Sequence, residues 1–287
     1  MTSDPSPTDR RLRRSISVVI AAHNEAAVIG RCLDGLLAPD IDITVVANGC
    51  SDDTAAVAAA RPGVRVVDRP EPGKSAALNA GDAVAVGFPR VYLDADIPLT
   101  AADIRALAAF LSSTPGLLAA TAHRTLDTRK RPLLVRAHSA INGRLPAYRD
   151  ALYGRGVVML SAAGRARFDT FPEVVADDLF LDGLFGPGEK AETPAVVAVV
   201  ETPRRTSDLV RRLARVRAGN AALRAAGAAR PAARSSWLRD VVLPRPWLLP
   251  AAVGYVALTV AASRAARRSQ VGWGHDSSTR TSVGVSQ

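Results

Sequence analysis

Two acidic residues one position apart, Asp94 and Asp96, close an apolar run that starts beside Arg90 as Val91-Tyr-Leu93. Carboxylates at the carboxyl end of a buried strand lie where open α/β sheets bind their ligands. There they can hold a hard divalent cation, and the cation can hold a diphosphate. An Asp-x-Asp pair by itself equally describes a strand end capped by solvated aspartates, so the surrounding chemistry has to decide. Lys74 is one of only three lysines in a chain whose positive charge is otherwise arginine, and Gly73 before it leaves the backbone open to a ligand. Asp177 and Asp178 form a second acidic pair at what reads as a helix start, where negative charge is also favoured for the helix's own sake. His23, Glu25 and Asn48 follow apolar runs much as the aspartates do.

The elements that must position these residues can be read in turn. Ile16 to Ala22 is β-branched and continuously apolar, the pattern of a strand buried on both faces. It is too short, and lacks the cleavage site, for a signal peptide. Asn24 is the expected N-cap of the next helix, which carries Val28, Ile29, Leu33, Leu36 and Leu37 at helical spacing. Ile43 to Ala47 predicts a second strand, running into a turn over Asn48–Thr54 where Ser51 or Asp52 is expected to cap a helix stopped by Arg61-Pro-Gly63. Val64 to Asp68 predicts a third strand, then a helix to about Val86, with Arg90 to Leu93 the fourth strand. Strand and helix alternate to about Phe110, which predicts an α/β fold with a mostly parallel sheet and helices on both faces. The carboxyl ends of such strands share one edge, so His23, Glu25, Asn48, Lys74, Asp94 and Asp96 are expected along one rim.

Beyond Pro115 the reading is a strand over Leu117–Thr121, a polar loop over Arg124–Arg131 and a helix over Leu133–Leu152. A strand over Gly156–Ser161, an acidic helix start after Ala176, a strand over Ala195–Val200 and an arginine-rich helix from Ser207 to about Ala229 follow. The expected organisation is a disordered basic N-terminus (1–14), a catalytic domain (15–230, divided into 15–115 for the donor nucleotide and 116–230 for the acceptor), a membrane-associated segment (231–268) and a disordered tail (269–287). Trp247 to Ser263 is apolar apart from Thr259, at the lower limit for crossing a bilayer, with tryptophan and arginine flanking it as interfacial anchors. A buried C-terminal helix, or one lying in the inner leaflet, fits the same composition.

With 287 residues, 48% of them hydrophobic, the chain can bury a large core and is not a disordered protein. A formal charge of +10 favours anionic partners, either nucleotides or phospholipid headgroups. Nucleic acid is disfavoured, because aromatics are only 5% and no groove-reading motif occurs. Cys32 and Cys50 fit no metal-ligand spacing and point to a reducing compartment.

In their order and spacing, His23-Asn-Glu25, Asn48-Gly-Cys-Ser-Asp-Asp-Thr54, the stretch from Gly73 to Gly81, Leu93-Asp-Ala-Asp96 and Asp177-Asp178 resemble the family 2 glycosyltransferases. That family has the A-type (GT-A) fold, the Rossmann-like fold of nucleotide-diphospho-sugar transferases. Each motif is weak alone, and five in order across about residues 16–220 are specific. The resemblance implies inverting transfer of a sugar from a nucleoside-diphosphate sugar, with Mg2+ or Mn2+ at the paired aspartates. It implies that Ala21, His23 and Glu25 contact the nucleotide, His23 by stacking on the base, although a structural histidine and a helix-capping Glu25 are open alternatives. Asn48 stands where the family often has an aspartate that recognises uracil; an amide both donates and accepts, so recognition survives while a preference for uracil no longer follows. Lys74 is implied to meet the diphosphate or the base. Asp94 falls near ribose and metal, Asp96 is the firmer metal ligand, and Asp178 is the base that takes the acceptor proton, with Asp177 beside it.

Processive members carry Gln-x-x-Arg-Trp downstream, where this chain has Arg212-Leu-Ala-Arg-Val216. Arg212 and Arg215 could still meet phosphate or acceptor, or form an exposed basic face. A single apolar segment is also too little for a polymer-conducting pore. The expectation is therefore a non-processive transferase at the cytoplasmic face of the cell membrane, in contact with membrane lipids and serving cell-envelope glycan synthesis. Its hydroxyl acceptor would be a lipid-linked glycan, a lipid or a small metabolite. Two competing readings are a nucleotidyltransferase of related fold, disfavoured because no glycine-rich triphosphate loop follows the first strand, and a non-catalytic basic module that binds membrane surfaces.

Overall fold

The computed structural model describes residues 16–149, 151–173, 176–225 and 235–268. Four βα units open the chain: β1 (Ile16–Ala22), α1 (Ala26–Leu36), β2 (Ile41–Asn48), α2 (Thr54–Ala59), β3 (Val64–Arg69), α3 (Lys74–Val84), β4 (Arg90–Leu93) and α4 (Ala101–Ser113). Then come β5 (Ala119–Asp127), α5 (Leu133–Asn142), a 3-10 turn (Pro146–Tyr148), β6 (Val157–Leu160), α6 (Ala162–Arg165), α7 (Asp177–Leu184), β7 (Lys190–Glu201) and α8 (Thr206–Ala225). A π-helical turn (Trp237–Val242), a 3-10 turn (Pro246–Leu248) and α9 (Leu249–Arg268) complete the described chain.

The strands form one sheet in the order β3-β2-β1-β4-β6-β5-β7. All pairings are parallel except those of β6, which runs antiparallel to β4 and β5. The βα alternation explains the parallel part: each crossover helix packs an apolar stripe on the sheet and returns the chain in the same direction. On one face Ile20, Ile29, Leu33, Ile43, Ile104 and Leu107 form the main core; Val19, Leu78, Tyr92, Leu160 and Phe171 build a second on the other. The helix α4 has a reciprocal N-terminal cap, in which Thr100 Oγ1 accepts from Asp103 N and Asp103 Oδ2 accepts from Thr100 N.

Several boundaries differ from the sequence reading. Arg124 to Asp127 is strand rather than loop, because β5 pairs with β7 from Ala119 to Asp127 and that ladder satisfies a backbone whose side chains read as polar. The helix expected over Leu133–Leu152 stops at Asn142, and Pro146, which lacks an N–H, begins a separate turn. Asn24 does not cap α1: its φ is 54° and its side chain turns toward the next loop, while Glu25 occupies the cap position. The N-cap of α2 is Asp53 rather than Ser51 or Asp52, although Asp52 Oδ1 still accepts from the first amide of that helix, Thr54 N. The expected disordered segments at 1–14 and 269–287, and the end of the arginine-rich helix near Ala229, lie outside the described residues.

The last helix lies against the domain rather than projecting from it. Ile141 of α5 packs with Val241, Val242, Leu248 and Ala252, and Leu258 of α9 packs with Val135 and Leu209. Pro246 to Ala266 is nevertheless long and apolar enough to cross a membrane by length and composition. It leaves Trp247 71%, Leu249 56% and Val253 73% exposed.

Candidate functional site

The loops after β1 and β2 are tied together at the sheet edge. His23 Nδ1 lies 2.6 Å from Asn48 O, a carbonyl that can only accept, so that nitrogen carries the proton. Asn24 Oδ1 accepts from Ser51 N at 2.7 Å, and Glu25 N donates to Thr54 Oγ1 at 2.7 Å. Asn48 is 1% exposed; its Nδ2 donates to Ala22 O at 2.7 Å and its Oδ1 accepts from Gly73 N at 3.0 Å. Its amide locks the ends of β1 and β2 to the start of α3. Gly49 has φ +58°, and a Cβ there would fall 2.7 Å from Pro72 N, so only glycine lets the two loops meet.

That lock delivers Lys74, the first residue of α3, to the end of β4. Lys74 Nζ is 2.8 Å from Asp94 Oδ1 and 3.1 Å from Asp177 Oδ2. One ammonium therefore joins carboxylates that lie far apart in sequence. Asp178, next along α7, accepts from Gly154 N through Oδ2 at 2.7 Å and from Leu179 N through Oδ1 at 2.8 Å. Asp182, one turn further on the same helix face, accepts from Leu152 N at 2.9 Å. The 152–154 segment is thus held to α7 at two points. Lys74, Asp94, Asp177, Asp178 and Gly156 line one narrow recess.

The charges in that recess shift one another. Burial raises the Asp177 carboxyl to about 6 against the opposing pull of Lys74. Burial also raises Asp178, against Lys74 and the two backbone donors that favour its ionised form. For Lys74, burial works downward, but Asp177 and Asp94 outweigh it and hold the ammonium well above the usual lysine range. A carboxylate with a raised pKa is a stronger base than a solvated one, which suits Asp178 to accepting a proton.

Asp94 and Asp96 have donor chemistry that fits Mg2+ or Mn2+. Both are hard oxygen ligands, and Asp94 is 41% exposed, with one oxygen at Lys74. Its other oxygen faces Gly156, where an added Cβ would come within 3.1 Å of Oδ2 and 2.4 Å of Ile97 Cγ1. Gly156 thereby avoids crowding that oxygen with a side chain. Cys32 registers the same acidic surroundings: burial first, then Asp96, and to a lesser extent Asp94 and Glu25, push its thiol up to about 12. No group of three or more His, Cys, Asp or Glu side chains able to hold a metal occurs among the described residues. Two carboxylates leave most of a cation's coordination to water and substrate phosphates, the usual arrangement for Mg2+.

The structure thus gathers Lys74, Asp94, Asp177 and Asp178, with His23, Glu25 and Asn48 on the adjoining strand ends and Ala21 within β1 leading to them. It does not bring Arg212 there: this side chain lies on α8 with Nη1 3.5 Å from Glu201 O, and neither it nor Arg215 lines the recess. The sequence reading also missed how the 148–155 segment is organised. Arg155 is 1% exposed, donates to Ala151 O at 2.6 Å and Ala122 O at 3.0 Å, and forms ion pairs or hydrogen bonds with Glu192 and Tyr148 O. It fixes the loop that presents Gly154 to Asp178. An arginine between two glycines, at Gly154 and Gly156, was the available signal.

Comparison with known proteins identifies the family and the fold. Residues 17–167, more than half of the chain, match the model of the family described as Glycosyl transferase family 2. No curated protein matches by sequence. Among solved structures, a mannosyltransferase from Pyrobaculum calidifontis, in complex with GDP-Man and Mn2+, superposes with a TM-score of 0.57 at 21% identity over 90% of this chain and 77% of that one. That likeness shows a shared fold. Glucosyl-3-phosphoglycerate synthase from Mycobacterium tuberculosis gives 0.45 at 23% identity, over 67% of this chain and 72% of its own. The S. aureus protein TarS, in complex with UDP, gives 0.46 at 15% identity, over 65% and 57%.

Proposed function

The chain belongs to glycosyl transferase family 2, and from that premise we propose that it is an inverting, non-processive transferase acting at a membrane face. It moves a sugar from a nucleoside diphosphate to an acceptor hydroxyl, with residues 15–115 serving the donor and 116–230 the acceptor. The observation that carries this reading is the single Lys74 ammonium bridging Asp94 and Asp177, with Asp178 next to it and braced by Gly154.

In this reading Ala21, His23 and Glu25 border the nucleotide, His23 offering a ring face and Glu25 a buried carboxylate. Asn48 acts through Gly73 by fixing where α3 begins. Asp94 and Asp96 would hold Mg2+ or Mn2+. When bound, that cation neutralises the diphosphate as the glycosidic bond breaks. Lys74 keeps Asp94 and Asp177 apart in charge and orients both. Asp178 takes the proton from the acceptor hydroxyl on the face of the sugar opposite the leaving group. Inversion follows from that single displacement.

The exposed apolar side of α9 supports contact with a membrane. Trp247, Leu249 and Val256 are exposed while the inner side of the helix is packed on α5 and α8, an arrangement that favours lying in the interface over spanning it.

The test is a panel of nucleotide sugars, assayed for nucleoside diphosphate release with Mn2+, with Mg2+ and with chelator. One donor should turn over with either metal and stop with chelator. Turnover that is indifferent to chelator, and unchanged in Asp96→Asn, refutes the metal role. Failure of every donor refutes the transferase reading.

A further inference from the structure

A groove of about 1040 Å³ runs between α5, α9 and the end of β5, separate from the acidic recess. Its walls are apolar, with Leu134 and Ala137 from α5 facing Val253 and Ala257 from α9. Arg124, Arg136 and Arg144 also line it, and no lining residue carries a carboxylate. The guanidinium of Arg124 is held by neutral partners: it sits 3.7 Å over the Tyr148 ring and donates to Asn142 Oδ1 at 3.3 Å. Such a surface is complementary to a molecule with a long aliphatic part and negative charge.

The Arg124 end of the groove comes close to the candidate base. A Cβ placed on Gly154 would lie 3.4 Å from Arg124 Nη1 and 3.4 Å from Tyr148 Cε1. The amide of that same Gly154 donates to Asp178 Oδ2 at 2.7 Å. One residue therefore separates the cationic end of an apolar groove from the carboxylate that would deprotonate an acceptor. A small soluble acceptor would have no use for the aliphatic length of this groove.

We propose that the groove is the acceptor site and that the acceptor is an anionic lipid, its chain lying between α5 and α9, its charged head at Arg124 and its hydroxyl directed to Asp178. The proposal rests on the glycosyltransferase reading and names its acceptor class. In the step it serves, the lipid hydroxyl oxygen bonds to the anomeric carbon as the bond from that carbon to the diphosphate oxygen breaks. The bonding pair leaves with the nucleoside diphosphate, and the hydroxyl proton passes to Asp178.

Binding can be measured on the full chain without turnover, using 1-lauroyl lysophosphatidic acid below its micellar concentration as the probe. Glycerol 3-phosphate, which has the head without the chain, and monolaurin, which has the chain without the charge, are the controls. One lysophosphatidate should bind per protein, with each control at least about tenfold weaker. Ala257 is exposed, so Ala257→Trp fills the groove without displacing core, and it should weaken lysophosphatidate at least about tenfold while UDP or GDP binding with Mn2+ is unchanged. Arg136→Glu, also at an exposed position, should weaken lysophosphatidate and spare monolaurin. Equal binding by wild type and both variants, or parity of either control with the charged lipid, overturns the proposal. If the lipid binds as expected but no nucleotide sugar turns over, the transferase reading fails and the groove stands. If transfer to soluble acceptors proceeds and the lipid does not bind, the groove reading fails alone.

Discussion

Replacing Asp178 with asparagine separates its chemistry from its structural duties. The native carboxylate accepts two backbone N–H bonds, one on each oxygen, from Gly154 and Leu179. Asparagine keeps one acceptor and turns an NH2 toward the other donor, so one charge-assisted bond worth about 1.5–3 kcal/mol is lost. Against that, burial disfavours the native charge, as its raised pKa records, and the amide escapes this cost. The two effects offset, and Asp178→Asn should change stability by no more than about 1 kcal/mol at neutral pH, or a few degrees in Tm. The linkage has a definite sign. A carboxyl whose folded pKa exceeds its unfolded value of 3.8 weakens the fold as pH rises through the folded value, and stops doing so below the unfolded one. The variant should therefore gain on wild type between acidic and neutral pH. Catalysis has no such compensation. Loss of a general base costs about 10²–10⁴ in rate, or about 2.7–5.5 kcal/mol of barrier. Initial rates of transfer, nucleoside diphosphate affinity with Mn2+, and thermal melts at several pH values measure all three. Transfer within threefold of wild type, with the fold intact, would refute the assignment of Asp178.

Lys74→Met should strand two carboxylates. Asp177 is 13% exposed and Asp94 41%, so most of the penalty falls on Asp177, about 1–3 kcal/mol once solvent screening of Asp94 is allowed for. Without the ammonium Asp177 rises above about 6, so the melting deficit should grow from pH 5 to pH 8; a deficit independent of pH contradicts the ion-pair geometry. Gly156→Ala places a side chain at φ +69° and 2.4 Å from Ile97 Cγ1. Left-handed strain and overpacking together predict a loss of about 2–4 kcal/mol by denaturant unfolding, with weakened Mn2+ dependence of turnover in the folded fraction. A neutral substitution would mean that Gly156 does not crowd Asp94. In co-sedimentation with phosphatidylglycerol–phosphatidylcholine vesicles, Leu249→Asp combined with Val256→Asp should reduce binding by more than about tenfold, because each apolar side chain contributes roughly 1.5–3 kcal/mol when buried. Donor hydrolysis should persist, and unchanged sedimentation would exclude the outer side of α9 as the contact.

Much of the fold was written locally. The β-branched run Ile16–Ala22, the four-residue strand Arg90–Leu93 and the helices between them follow from period and turn chemistry, because each parallel strand is buried on both faces and must read as continuous apolar sequence. The same alternation places His23, Asn48, Lys74 and Asp94 on one sheet edge, since strands linked by right-handed crossovers end on the same side. Polar strands carry no such signal: Arg124–Asp127 became strand only because β7 lay beside it. Pairing was equally invisible. Nothing in the order of residues says that Lys74 chooses Asp94 and Asp177, or that Asn48 expends its amide on Ala22 and Gly73, because those choices depend on distances between segments that the chain brings together only on folding. The first pair of aspartates at the end of a buried strand was legible in the sequence. The ammonium that joins it to a second pair, the loop that braces the candidate base and the groove between α5 and α9 were decided by tertiary packing, which sets which buried charge must find which partner.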